Sequence, residues 1–195
     1  MKEVGQSAQM YLGSSFPTYR AIISTATPPA TATDILNIAP VVGIACVITR
    51  ASVSLTATAA TNYDVFTFRR TTANTGGSPL TLTTASQAFA SGTASIIQMD
   101  SADTASTSTV VAYAAAATAG TGTIVQADHS IAAAPSSSTT PAVPFLFDTT
   151  TRGAKPLVIR NGQSFSVGFN GQAVPAGTVA FVSVEWVEVP VAMLF

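Results

Sequence analysis

The chain has 195 residues, 47% hydrophobic and only 9% charged, with eight Lys+Arg against nine Asp+Glu and a formal net charge of -1. That length suits one domain whose core needs no metal or disulfide, and the near-neutral balance excludes the basic stripe of a nucleic-acid surface. With so little charge to keep molecules apart, the surface is expected to be covered by other subunits.

The N-terminus "MKEVGQSAQMYLGSS" has Lys2 but no apolar h-region, so no signal peptide is expected. No apolar run approaches the roughly 18 residues of a membrane span, and synthesis in a cytoplasm without a membrane partner is the expectation. "STATPPATATD" (Ser24–Asp34) is a Pro, Thr and Ala stretch without a period, and Pro28 and Pro29 favour extended backbone. Residues 1–33 therefore read as an extended N-terminal arm, and residues 34–195 as the folded domain. The arm carries Tyr11, Leu12, Phe16, Tyr19, Ile22 and Ile23, which need cover.

From Ile44 onward the sequence reads as strands. In "IACVITRASVSLTAT", Ile44, Cys46 and Ile48 share one parity and Ala51, Val53 and Leu55 the other, which predicts a bulge near Thr49 to Ala51. Cys46, the one cysteine, reads as a small core residue, and no disulfide framework exists within the chain. "YDVFTFRRT" puts Phe66 and Phe68 on one face. "TASIIQMD", "STVVAYAAA", "GTIVQAD", "PFLFD", "PLVIRN", "SFSVGFN" and "TVAFVSVEWVEV" follow, separated by turn chemistry at Asn74 with Gly76 and Gly77, at Gly120 and Gly122, at Asn161-Gly162 and at Asn170-Gly171. On the last strand Val182, Val184 and Trp186 share one face. Phe181, Val187 and Val189 share the other, so the second face also needs cover, from the arm or a neighbour. Pro190 closes that strand, because it has no N–H for a ladder. Eight to ten short strands without intervening helices predict an all-β, antiparallel, jelly-roll-like β-sandwich.

Catalytic constellations are sparse. One Cys and one His cannot build a zinc site. A Ser-His-Asp triad would need His129, whose neighbour Asp128 points to the opposite face on a strand. "NTGGS" opens no helix, so it forms no phosphate cradle, and no Walker pattern occurs. Carboxylate pairs could be drawn from Asp100, Asp103, Asp148, Glu185 and Glu188, but Glu185 and Glu188 differ in parity. "MDSADTAST" resembles a turn capped by its own aspartates, and calcium would lack the EF-hand spacing there. No catalytic, cofactor-binding or metal residue is therefore assigned, and no enzyme activity is expected. Arg69 and Arg70, adjacent in "VFTFRRTTANTGGSP", face opposite sides of a strand. One guanidinium is expected to bond turn carbonyls or a carboxylate such as Asp64 or Glu185, and the other to face solvent or a neighbour.

"RRTTANTGG" (Arg69–Gly77), "DSADTASTSTVVAYAA" (Asp100–Ala115) and "KPLVIRNGQSFSVGFNGQAVPAGTVAFVSVEWVE" (Lys155–Glu188) resemble a group of tailed-bacteriophage and prophage proteins of structural or unassigned role. The chain departs from that group at "YAAAATAGT", where an Asn-Pro-Thr turn is usual, and in its N-terminal arm. The resemblance covers roughly Arg50 to Val189 and implies a virion β-domain. The expected function is a capsid cement or decoration protein on the capsid exterior, made in the host cytoplasm. It would act as a homo-oligomer, expected to be a trimer, that bridges major capsid protein subunits. A tail, collar or spike component is the alternative within that class. A carbohydrate-binding β-sandwich module is the alternative from another class, and Trp186, the single tryptophan, reads against it as a core residue.

Overall fold

The computed structural model describes residues 16–26, 34–58, 61–79, 82–83, 94–100, 102–113, 118–132, 145–148, 156–169, 171–172 and 177–194. The strands among them are, in chain order, β1 (Thr18–Ala26), β2 (Asp34–Ala39), β3 (Ile44–Thr56), β4 (Thr61–Arg70), β5 (Ser78–Pro79), β6 (Leu82–Thr83), β7 (Ala94–Gln98), β8 (Thr109–Ala112), β9 (Gly122–Ala132), β10 (Phe145–Asp148), β11 (Leu157–Ile159), β12 (Ser164–Gly168) and β13 (Val179–Pro190). A single 3-10 turn, Val191–Met193, is the only helical element among the described residues.

The strands form two sheets. The larger runs β10-β3-β13-β1-β7-β6, with β11 also on β3, and the smaller runs β5-β8-β2-β12-β4-β9. Every ladder is antiparallel except the short β6–β7 pair. The result is an all-β sandwich. Alternation explains it: Tyr19, Ala21 and Ile23 of β1, Val182, Val184 and Trp186 of β13, and Leu36, Ile38, Phe165 and Val167 of the facing sheet are all buried in one core. The Asn161-Gly162 turn closes with Gln163 N–H donating to the Arg160 carbonyl at 2.9 Å, and Gly162 has φ 83°. It carries the chain from β11 in one sheet to β12 in the other.

The parity switch in β3 is a bulge. Trp186 pairs with Ile48 and Glu185 with Arg50, so Thr49 is the extra residue. Its hydroxyl donates to the Glu185 carbonyl at 3.3 Å. The extra residue keeps Cys46, Ile48, Ala51, Val53 and Leu55 all on the core face, although their numbering changes parity.

One expectation needs correction. Part of the N-terminal arm is sheet: β1 lies between β13 and β7, with Tyr19 opposite Trp186 and Ala21 opposite Val184. Burying Tyr19, Ala21 and Ile23 gives residues 18–26 more than an arm's packing would, and the sandwich begins before Asp34. Residues 1–15 and 27–33 of the expected arm lie outside the described residues. The second face of β13 is covered at one end, where Val47, Val187 and Val189 form a small outer cluster beneath Phe16, Val158 and Leu194, while Phe181 at the other end stays exposed. The strand ends at Pro190.

Candidate functional site

Three places gather polar or apolar groups that could carry function. The first surrounds Arg70. β4 sets Arg69 exposed and Arg70 buried, and Arg70 makes a forked ion pair with Asp34, Nε to Oδ2 at 2.8 Å and Nη2 to Oδ1 at 2.7 Å. Its Nη1 donates to the Gly120 carbonyl at 2.7 Å, and the guanidinium lies 4.3 Å from the centroid of the Phe68 ring. Asn74 Nδ2 donates to the same Asp34 Oδ2 at 2.6 Å, while the Gly120 N–H donates to Asn74 Oδ1 at 3.0 Å. Gly76 and Gly77, both at φ 85°, let this loop fold back onto its own sheet. A Cβ on Gly77 would stand 2.4 Å from the Tyr113 ring. Burial, then the Asp34 charge, push the Tyr113 phenol above its ordinary value. Next to this cluster Asn37 Nδ2 donates to Ser164 and Ser166 at 2.8 and 2.7 Å, and the Ser164 hydroxyl donates to the Thr72 carbonyl at 3.1 Å. The outer face of the smaller sheet is thus roofed by its own β4–β5 loop. The carboxylate that meets the arginine is Asp34, in place of the expected Asp64 or Glu185. Asp64 accepts from Gln172 Nε2 at 3.0 Å, and Glu185 pairs with Arg20.

The second place is Glu188, buried at one end of the core. It accepts from the Ser106 hydroxyl at 2.6 Å, the Thr107 N–H and hydroxyl at 3.1 and 2.8 Å, and the Ser108 N–H at 3.1 Å. Trp186 Nε1 approaches it at 3.4 Å. Burial alone would raise its pKa, but the hydrogen bonds from Ser106, Ser108 and Thr107 outweigh burial and hold the carboxyl below its ordinary value. The Ser108 hydroxyl also meets Cys46 Sγ at 3.1 Å. Burial pushes that thiol up to about 12, so Cys46 is a core group and no nucleophile. Upstream, Asp100 Oδ1 accepts from the Ala102 N–H at 2.9 Å and Asp103 Oδ2 from the Thr18 N–H at 3.2 Å. Asp100 caps its own turn, as the turn chemistry predicts, whereas the Asp103 side chain reaches out of the turn to the start of β1. No cluster of three or more His, Cys, Asp or Glu capable of holding a metal occurs among the described residues.

The third place is apolar. The β2–β3 turn leaves Val42 81% and Val41 38% exposed, and Met193 of the C-terminal 3-10 turn is 64% exposed. The Val191 N–H donates to the Gly43 carbonyl at 2.9 Å, which holds these two segments side by side.

Glu185 and Glu188 do lie on opposite faces of β13: Glu188 opposes Cys46 on the core side, and Glu185 opposes Arg20 and Arg50 on the outer side. His129 sits within β9 opposite Asp64, and Asp128 opposite Val65, so His129 belongs to a strand at the edge of the smaller sheet. The side chains of Asp128, His129 and Asp148 lie outside the described residues. Trp186 is fully buried, with Tyr19 stacked at 5.6 Å between ring centroids and tilted by 34°. No protein-family model matches the chain, and no curated protein or solved structure matches it.

Proposed function

We infer that the protein is a structural component of a bacteriophage virion, a capsid cement or decoration protein that works by binding alone. The observation that carries this reading is the fate of the ionisable groups with defined partners. Asp34 and Arg70 close on each other, and Glu188 is enclosed by a serine-threonine loop of its own chain. Groups held this way stabilise a shape and offer no free acid, base or nucleophile to a substrate. What the surface offers is contact: a low charge and an apolar end at Val41, Val42 and Met193. In this reading the sandwich is jelly-roll-like, the chain assembles as a homotrimer, and its apolar end seats against the major capsid protein on the capsid exterior. Several modest contacts per trimer then act together. The complete burial of Trp186 weighs against the carbohydrate-binding alternative, which would need it on the surface.

The test is immunogold labelling of this chain on intact purified particles. Label spread over the shell is expected. Label confined to the tail transfers the chain to the tail, collar or spike class, and particles that lack the chain overturn the virion reading.

A further inference from the structure

The two outer faces of the sandwich are unlike. The smaller sheet is roofed by the β4–β5 loop, whereas among the described residues the larger sheet is covered at one end, where Phe16 and Leu194 lie over Val47, Val187 and Val189. Beyond that end its outward residues include Ser52, Ser54 and Ser183, with Phe181 41% exposed beside them. At Ser52 and Ser54 of β3 and Ser183 of β13 the outward side chains are short.

One row crosses this face. The registers set Arg20 of β1 opposite Glu185 of β13, Glu185 opposite Arg50 of β3, and Arg50 opposite Asp148 of β10. Read across four adjacent strands the charges run plus, minus, plus, minus. The chain has eight Lys+Arg and nine Asp+Glu in 195 residues, and two of each share this row. Arg20 and Glu185 pair within the chain yet keep side-chain exposures of 33% and 19%.

Such a row is its own complement when reversed. A two-fold axis parallel to the strands, midway between β13 and β3, brings Glu185 over Arg50 of a second copy and sets the register position of Arg20 opposite that of Asp148. Every contact then occurs twice, and aligned sheets pack at about 30° with interdigitating small side chains. We propose that the outer face of the larger sheet is a two-fold docking surface for a second copy of this chain, with its register set by the Arg20–Glu185–Arg50–Asp148 row. This rests on the homo-oligomeric part of the function above and adds a contact that joins chains in pairs. A trimer built through other surfaces would be linked to a second trimer by it.

The experiment uses the full chain with Arg50→Glu and Glu185→Arg made separately. Each single reversal sets like charges against each other twice across the axis and should raise the dissociation constant of the pair about tenfold or more, read by sedimentation equilibrium. Mixing the two reversed proteins restores opposite charges at both contacts, so they should associate with each other more tightly than either does with itself. A contact confined to one chain cannot produce that result. Ser52→Lys, which removes no ion pair, should also dissociate the pair with an unchanged circular dichroism spectrum. A monomeric wild-type protein, or reversed variants that fail to associate on mixing, overturns the proposal. A trimer indifferent to all three substitutions overturns it while leaving the trimeric reading in place.

Discussion

Arg70 and Asp34 are 36 residues apart in sequence and meet through two parallel hydrogen bonds of 2.7 and 2.8 Å, with both side chains buried. The pair pins the start of β2 to the end of β4, two strands separated in the sheet by β12. Removing one partner strands the other charge away from water, so Arg70→Ala should cost about 3–5 kcal/mol. Arg69→Ala, on the exposed side of the same strand, should stay within about 0.5 kcal/mol. Urea denaturation of both variants checks the contrast, and equal losses would count against this assignment.

Trp186 fills the middle of the core against Tyr19. Trp186→Ala should cost about 3–5 kcal/mol, and Trp186→Phe less, because most of the ring volume remains. Chemical denaturation measures both. A Trp186→Ala protein with unchanged stability would mean that the core is packed differently.

Glu188 makes stability depend on acid. Its folded pKa lies below its ordinary value, so the folded state favours the charged form. That contribution is fully present above the unfolded pKa and is lost as pH falls through the folded one. Glu188→Gln should flatten the acid limb of a plot of urea midpoint against pH, while lowering the midpoint near neutrality. A wild-type limb no steeper than that of the variant would show that other carboxylates control acid unfolding.

Gly76 and Gly77 share a φ of 85° but differ in surroundings: nothing lies within 4 Å of a Cβ on Gly76, while the Tyr113 ring blocks one on Gly77. Gly76→Ala should cost about 1–2 kcal/mol from backbone strain alone. Gly77→Ala adds a clash with a buried ring of about 1–3 kcal/mol. Thermal melting of the two variants should rank Gly77→Ala lower, and the reverse order would refute the close approach to Tyr113.

Truncation separates arm from sheet. A chain lacking residues 1–15 retains β1 and every ladder described, and should keep a β-type circular dichroism spectrum. A chain lacking 1–26 loses the strand between β13 and β7 and should be insoluble or unfolded. Equal solubility of the two would show that β1 is dispensable.

The strands from Ile44 to Val189, apart from the two-residue β5 and β6, are legible in the sequence because one face of each is apolar and turn residues punctuate them. The bulge at Thr49 is legible for the same reason, since only an added residue keeps Ile48 and Ala51 on one side. β1 is hidden because Ile22 and Arg20 share its outer face, which blurs the alternation, and because the proline stretch that follows suggests an arm. The partner of Arg70 is out of reach of local reasoning: Asp34 stands beside it only once β12 has come between β2 and β4. The donors to Glu188 give no signal either. Ser106, Thr107 and Ser108 read as an ordinary polar loop until the fold sets them over a carboxylate 80 residues away.

The position of β13 constrains how the chain reaches this structure. It is the last of the described strands, and it lies between β3 and β1, so until residues 179–190 leave the ribosome the larger sheet exists only as separate halves. Nearly every ladder joins strands far apart in sequence, which makes closure slow. During synthesis the apolar inner faces of β1 and β3 wait for a strand that has not been made. Chains arrested before Val179 are therefore the form in which this protein is most exposed to aggregation and to chaperones.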